Sequence, residues 1–190
     1  MDNTQLATAS AQKITIGGLE DLPPSIIPIP YVRLVQPTSK NIETSPGVDA
    51  LPGTFLFDDT KTSVDSLAFI LLRAKHGQVQ FERDGEMIIT QKIALLCLTG
   101  DRKKLFLLSI SPTSFSNFGH LVAQLKEKNI QSSWHVVLSA TSQKQENEKG
   151  KYYVVNFLIE DDVLSEEHQH ECAELATAYG MVLEKKQDEQ

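Results

Sequence analysis

The stretch from residue 104 to 128, KLFLLSISPTSFSNFGHLVAQLKEK, joins a strand-like run to an amphipathic helix and decides how the rest of the chain is interpreted. Pro112 stops the strand because proline has no N–H to donate to a ladder. Thr113 or Ser114 can cap the helix, which is predicted over residues 114–128. Its apolar residues recur at spacings of three and four and form one stripe. The stripe consists of Phe115, Phe118, Leu121, Val122 and Leu125.

Strand-like segments lie on both sides of this unit. The five predicted strands are residues 66–82, 87–98, 104–111, 133–141 and 151–159. With the helix between the third and the fourth strand, this order is the plan of the OB-fold, a small barrel that mostly holds single-stranded nucleic acid or oligosaccharide. The sequence therefore predicts a mainly β protein with helices, built on a five-stranded Greek-key OB-fold barrel between residues 66 and 162.

Three local features refine this prediction. The start of the first strand, residues 67–72, is apolar on both faces, as expected for a strand that is covered on two sides. Gly77 is predicted to provide a bulge where this strand bends. Residues 142–150 are polar and are predicted to form a loop between the last two strands.

The ends of the chain differ from its middle. Residues 1–30 are polar, with four closely spaced prolines from Pro23 onward, and are predicted to form a disordered arm. Residues 31–162 are assigned to the OB-fold domain, whose first part is an N-terminal extension packed against the barrel. Residues 163–190 are predicted to form a C-terminal helix, ended by Gly180, and an acidic tail. The buried stripe predicted for this helix is Cys172, Leu175, Ala176 and Tyr179.

Charge is segregated along the chain, although the net value is −7. Residues 1–60 hold three basic and seven acidic residues, a balance of −4. Residues 61–151 hold thirteen against eight, a balance of +5, and residues 152–190 hold two against ten, a balance of −8. A basic middle between acidic ends indicates a core that binds a polyanion. Scattered surface charge is the alternative interpretation.

Binding a single strand requires cationic side chains that follow the phosphates and aromatic faces that stack on the bases. The cationic candidates are Arg73, Lys75, Lys92, Lys103, Lys104 and Lys151. The stacking candidates are Trp134 and Tyr152, although the parity that Trp134 shares with Val136 and Leu138 favours the core slightly. We expect the ligand to lie across the first three strands and to be gripped by the loop between the last two.

Catalytic and metal-binding patterns are absent from the sequence. It contains no GxSxG, HExxH or P-loop motif, so no catalytic residue and no cofactor is predicted. His168 and Cys172 have helical i, i+4 spacing, but a structural zinc site closes with four ligands. No metal site is therefore predicted.

Four segments of the chain resemble the OB-fold single-stranded DNA-binding proteins of phages and mobile elements. They are residues 31–37 (YVRLVQP), 51–55 (LPGTF), 110–115 (ISPTSF) and 152–157 (YYVVNF). The resemblance implies a non-enzymatic protein of replication or recombination that binds single-stranded DNA. It also implies that the acidic C-terminus contacts replication or recombination proteins, although residues 184–190 contain lysines and lack a terminal apolar anchor.

Two functions are therefore carried forward. The first is single-stranded DNA binding in the cytoplasm of a bacterial or phage-infected cell, with self-association left open. The cytoplasmic expectation comes from the lack of a recognisable signal peptide and of an 18–20-residue apolar run, and from two cysteines without CxxC spacing. The second is a protein-interaction or assembly module on the same barrel, such as an accessory subunit of a virion or complex, which the acidic total charge favours. Neither hypothesis involves a membrane.

Overall fold

The computed structural model describes residues 28–37, 50–83, 85–148 and 150–185, and all their side chains except those of residues 81–83, 161–162 and 180–185. The strands are β1 Tyr31–Leu34, β2 Phe55–Phe57, β3 Ser63–Val64, β4 Ser66–Arg83, β5 Glu86–Thr99, β6 Leu105–Ile110, β7 Val136–Asn147 and β8 Gly150–Val163. The helices are α1 Phe115–Glu127 and α2 Glu166–Lys185, and short 3-10 turns span Pro112–Ser114 and Ser133–His135. The protein is mainly β with two helices, as the sequence predicts.

The eight strands form one mixed sheet in the order β3-β2-β1-β6-β5-β4-β7-β8. The prediction of a closed five-stranded barrel is not met, because the end strands β3 and β8 do not pair with each other. The N-terminal extension does more than pack against the sheet: it adds three strands to it. The edge of β6 pairs in parallel with β1, with Tyr31 opposite Leu107. The edge that would close a five-stranded barrel is therefore already occupied.

One face of the sheet encloses the main core, which receives Leu121 and Leu125 from α1. A chain of five aromatic rings crosses this core from β2 to α1, each ring meeting the next edge-on at centroid distances between 5.8 and 6.5 Å. In order, the rings are Phe57, Phe106, Phe69, Phe157 and Phe118. Phe69 of β4 is the middle ring and connects Phe106 of β6 to Phe157 of β8. We call this set the aromatic chain.

The opposite face of the sheet carries a second core under α2. Five aliphatic side chains of β4, β5 and β6 face the helix: Ile70, Leu72, Leu96, Leu98 and Leu107. The stripe of α2 that packs on them is the one predicted from the sequence, Cys172, Leu175, Ala176 and Tyr179. The two-sided burial predicted for residues 67–72 is thereby confirmed except at the exposed Ala68, since Leu67, Phe69 and Leu71 lie in the main core. Gly180 does not end the helix, which continues to Lys185.

Side chains take the place of a neighbouring strand along the free edge of β8. The amide of Gln36, just after β1, donates to the carbonyl of Tyr153 (2.8 Å) and accepts from its N–H (2.9 Å). The hydroxyl of Ser114 accepts from the N–H of Val155 at 2.9 Å, and the Asn117 amide donates to its carbonyl at 2.8 Å. We call this set of contacts, made by Gln36, Ser114 and Asn117 with the edge of β8, the seam. It satisfies four main-chain groups that a strand ladder satisfies elsewhere.

Ser114→Ala tests the seam. Ser114 is itself buried and makes no capping bond within its own helix, so its hydroxyl serves β8. Losing it leaves the buried N–H of Val155 without its acceptor, which we expect to lower the free energy of unfolding by about 1–3 kcal/mol. Chemical denaturation measures this loss. Thr113→Ala is the matched control, because the Thr113 hydroxyl is exposed and bonds only to Ser111. Equal stability of the two variants would contradict the proposed role.

Other local predictions are corrected by the structure. The register shift in β4 lies between Leu71 and Arg73, whereas Gly77 pairs regularly with Lys92. Val122 is 36% exposed at the rim of the helix stripe. The polar loop predicted at residues 142–150 is instead the outer part of a β7–β8 hairpin, paired as far as Asn147 and Gly150. Polar side chains suit this hairpin, because most of residues 143–151 are exposed.

The predicted arm, residues 1–30, lies outside the described residues except for positions 28–30. Ile29 is buried in the second core, and the carbonyl of Pro30 accepts from the N–H of Leu107 at 2.9 Å. The described fold thus begins just before β1. Among the residues described, neither helix combines the length and apolar character needed to cross a membrane.

Candidate nucleic-acid interface

The hairpin of β4 and β5 extends well beyond the body of the sheet. β6 pairs with β5 only from Ile93 to Leu98, and β7 pairs with β4 only from Ser66 to Phe69. From the pair Gly77–Lys92 to the pair Arg83–Glu86, each strand of the hairpin therefore pairs only with the other, among the described residues. We call this outer part, residues 77–92, the ribbon.

Arg73, Lys75 and Lys92 lie on one face of this hairpin. Arg73 pairs with Leu96 and Lys75 with Ala94, and directly opposed residues share a face. Leu96 and Ala94 belong to the second core, and Lys92 has the same parity as both. The three predicted cationic residues on strands are thus brought together, on the α2 side of the sheet. We call this the basic face.

Acidic residues are absent from most of the two strands that carry the basic face. Residues 66–81 and 87–100 contain Arg73, Lys75 and Lys92 but no Asp or Glu. The acidic residues of the hairpin are confined to its tip, residues 82–86. The side chains of these two segments therefore carry only positive charge, although the whole chain is acidic.

The basic turn between β5 and β6 is neutralised by carboxylates. Lys103 lies 3.3 Å from Asp101, Lys104 lies 2.7 Å from Asp59, and Arg102 lies 3.4 Å from Glu171. Such exposed pairs add little to stability, but they offset the charge that was predicted to attract phosphate.

Two pKa values report these contacts. The hydrogen bond from Lys104 lowers the pKa of Asp59. A hydrogen bond from the Thr99 hydroxyl, 2.6 Å long, lowers the pKa of Asp101. Both carboxylates therefore stay ionised to a lower pH than an ordinary aspartate does, and the pairing of the lysines persists with them.

Lys151 and Tyr152 lie in the β7–β8 hairpin. Lys151 is exposed and lies opposite Glu146 in the register of the two strands. The hydroxyl of Tyr152 donates to the Gln145 side chain at 2.8 Å, which holds the half-buried ring against its own hairpin. Val154, two residues further along β8, is fully buried.

Trp134 is not on a strand. It lies in the 3-10 turn Ser133–His135, before β7 begins, and packs against the second core. Its neighbour Ser133 donates a hydrogen bond to the carbonyl of Leu71 at 2.7 Å, which fixes the turn beside β4. The predicted stacking role of Trp134 is thus not supported by its position, which is structural.

The ligand path was predicted to cross the first three barrel strands, which are β4, β5 and β6 of the structure. There it meets α2. The helix covers the outer face of β4, β5 and β6, and the surface beneath it is aliphatic. Aliphatic side chains offer neither charge for phosphates nor rings for bases. The helix is therefore a structural cover; of the basic face, Arg73 is exposed, and Lys75 and Lys92 are half-buried.

Sequence reasoning missed two features of the structure. Met87 and Ile89 of the ribbon are 62% and 63% exposed, on the face opposite the basic one. No periodicity in the sequence marks this exposure, because residues 87–89 form a continuous apolar run. The other missed residue is Gln36, whose role at the seam has no local signal.

The described residues offer no catalytic constellation. Burial raises the pKa of the Cys97 thiol well above its ordinary value, which keeps it protonated and inert. Cys172 is buried in the second core, with its pKa also raised by burial. No group of three or more His, Cys, Asp or Glu in the described part of the chain is arranged to hold a metal ion.

Comparison of the chain with models of protein families, with curated proteins and with solved structures gave no match in any of the three.

Proposed function

We propose that the protein is a non-enzymatic single-stranded DNA-binding protein of replication or recombination, and that its central strands are an OB-fold opened at the seam. The order β6-β5-β4-β7-β8, with α1 between β6 and β7, supports the second part. In an OB-fold the third and the fifth barrel strand, here β6 and β8, pair with each other. We propose that this contact is replaced by β1, which pairs with β6, and by the side chains of Gln36, Ser114 and Asn117, which bond to β8.

The observation that carries the proposal is the basic face. Arg73, Lys75 and Lys92 lie on one face of two strand segments, residues 66–81 and 87–99, that contain no acidic residue, in a hairpin that extends from the body of the protein. Cationic side chains on an extended hairpin can follow a phosphate backbone without having to displace α2.

The second part of the proposed site is the β7–β8 hairpin, with Lys151 and Tyr152. β7 runs past the start of β4, so this hairpin and the ribbon lie toward opposite ends of that strand. The distance along β4 from Ser66 to Lys75 is about 30 Å. A ligand that contacts both parts must span the length of β4, which suits an extended single strand.

Lys75→Ala combined with Lys92→Ala tests the proposal. Removing one phosphate-binding cation lowers the logarithmic salt slope of binding by about 0.7, so we expect the slope to fall by about 1.4. Fluorescence anisotropy with labelled single-stranded DNA, duplex DNA and RNA at two salt concentrations measures it. Lys126→Ala with Lys128→Ala, at the exposed end of α1, is the charge-matched control.

Lys103→Ala with Lys104→Ala gives a second comparison. Because both side chains are held by carboxylates, we expect the slope to fall by less than the 1.4 of two fully engaged cations. An equal change in the variants of the basic face and of the α1 end would contradict the proposed site.

The alternative function is a protein-interaction or assembly module on the same barrel. The exposed apolar residues of the ribbon, Met87 and Ile89, favour it, as do the neutralised charges of the β5–β6 turn. The anisotropy experiment also separates the two functions. No binding of any nucleic acid by the intact protein at low salt would leave the assembly module as the better explanation.

A further inference from the structure

The outer edge of β5 lacks a neighbouring strand in the described structure. β6 ends its pairing at Ile93, so residues 86–92 present one row of main-chain N–H and C=O groups away from β4. An unpaired edge of this kind is a template for pairing with another chain. A two-stranded hairpin is also only marginally stable in water by itself.

The devices that usually protect an edge are missing from the middle of this one. Residues 87–91 contain no proline, no glycine and no charged residue, and their pairing with β4 has no register shift. Met87 and Ile89 are instead apolar and mostly exposed. The edge therefore has the properties of an interface.

We propose that β5 pairs edge to edge and antiparallel with β5 of a second copy of this chain, about a twofold axis at Ile89. Ile89 is the midpoint of the free stretch 86–92, so this register uses all of it. It opposes Ile89 to Ile89 and Met87 to Gln91, on the face away from α2. It also opposes Glu86 of each copy to Lys92 of the other, and these two residues share the other face.

Charge complementarity selects both the partner and the register. The contact is isologous, so the Glu86–Lys92 pair occurs twice. An axis at Thr90 would oppose Glu86 to Ala94, but the edge of β5 there is already paired with β6. An axis at Ile88 would oppose Glu86 to the uncharged Thr90. Only the register at Ile89 joins opposite charges and leaves the β5–β6 pairing intact.

The dimer has a consequence for the basic face. A twofold axis perpendicular to the sheet keeps each face on its own side. Arg73, Lys75 and Lys92 of both copies therefore line the same side of one four-stranded sheet. The inference does not depend on nucleic-acid binding, because its test contains no nucleic acid.

Charge reversal gives the first test. Within one copy, Glu86 and Lys92 lie about 20 Å apart along β5, too far to pair with each other. Glu86→Lys alone and Lys92→Glu alone each create two like-charge contacts, and we expect each to weaken dimerisation about tenfold or more. The double variant should restore it. Analytical ultracentrifugation from low micromolar to sub-millimolar concentration measures all four proteins.

Cross-linking gives the second test. Cys97 and Cys172 are buried, so Ile89→Cys adds an exposed thiol on the axis, where directly opposed Cβ atoms lie about 5 Å apart. Mild oxidation should yield a covalent dimer. Gln80→Cys is the matched control, because Gln80 is the exposed cross-strand neighbour of Ile89 and lies on β4, not on the β5 edge that forms the proposed interface.

Two results would overturn the proposal. One is a monomeric wild type over the whole concentration range together with equal cross-linking at positions 89 and 80. The other is a dimer that neither charge reversal weakens, since the second copy would then be held by another surface. Rescue by the double variant would support it, because a folding defect in the single variants would not be repaired by a second reversal.

Discussion

Phe69→Ala is expected to lower the free energy of unfolding by about 3–5 kcal/mol, the largest effect of any substitution considered for this protein. Phe69 is fully buried and is the middle ring of the aromatic chain. It contacts Phe106 on β6 and Phe157 on β8, which lie on opposite sides of the seam. Its loss removes the transfer free energy of a ring, leaves a cavity, and breaks the edge-on contacts across the open side of the sheet.

Urea denaturation followed by circular dichroism measures this loss. The fluorescence of Trp134, the only tryptophan, gives a second probe in the other core. Phe69→Leu is the control, because it keeps an aliphatic side chain and removes only part of the volume. If the alanine variant were less destabilised than the leucine variant, Phe69 would not bridge the seam.

Leu121→Ala is expected to lower the free energy of unfolding by about 2–5 kcal/mol. Leu121 is 1% exposed and inserts from α1 into the main core. The adjacent Val122 is 36% exposed, so Val122→Ala should cost less than about 1 kcal/mol. The two residues are neighbours on one helix and were both predicted to lie in its buried stripe.

The difference in free energy of unfolding between these two variants reports how α1 is oriented against the main core. Thermal or chemical denaturation of both proteins under the same conditions is sufficient. Similar losses of stability would mean that α1 is rotated about its axis relative to the described structure, with Val122 turned toward the sheet. A small loss in both would mean that α1 is not anchored in the core at all.

Periodicity in the sequence predicts the helices and most strands. The three- and four-residue spacings of α1 and α2 are local signals, and burial of Leu121, Leu125 and Cys172 follows them. The apolar run 67–72 correctly indicates coverage on two sides, because both the main core and α2 need an apolar partner surface. Local patterning thus suffices where each face of a helix or strand packs on a single core.

The seam could not be predicted in the same way. Whether β6 pairs with β8 or with β1 depends on competition between strands distant in sequence, and residues 31–34 carry no signal for a parallel partner. The bonds of Gln36 to Tyr153 join residues 117 positions apart. A polar residue after a short strand is compatible with many structures.

The candidate site was predicted in part for a similar reason. The parity of Arg73 and Lys75 places them on one face, and the register with Lys92 completes the group. The carboxylate partner of Lys104, Asp59, lies 45 positions away, so its pairing is not visible in the sequence. The position of α2 over the predicted ligand path likewise depends on tertiary packing.

The parallel contact of β1 with β6 has a consequence for the order in which the protein is made. Tyr31 pairs with Leu107, 76 positions later, so at ordinary rates of synthesis β1 waits about 4–15 s for its partner strand. Ile29 waits longer, because its core is completed by Tyr179 of α2. The first apolar residues of the described fold to leave the ribosome are therefore among the last to be buried, and the nascent chain needs protection from aggregation until its C-terminal helix emerges.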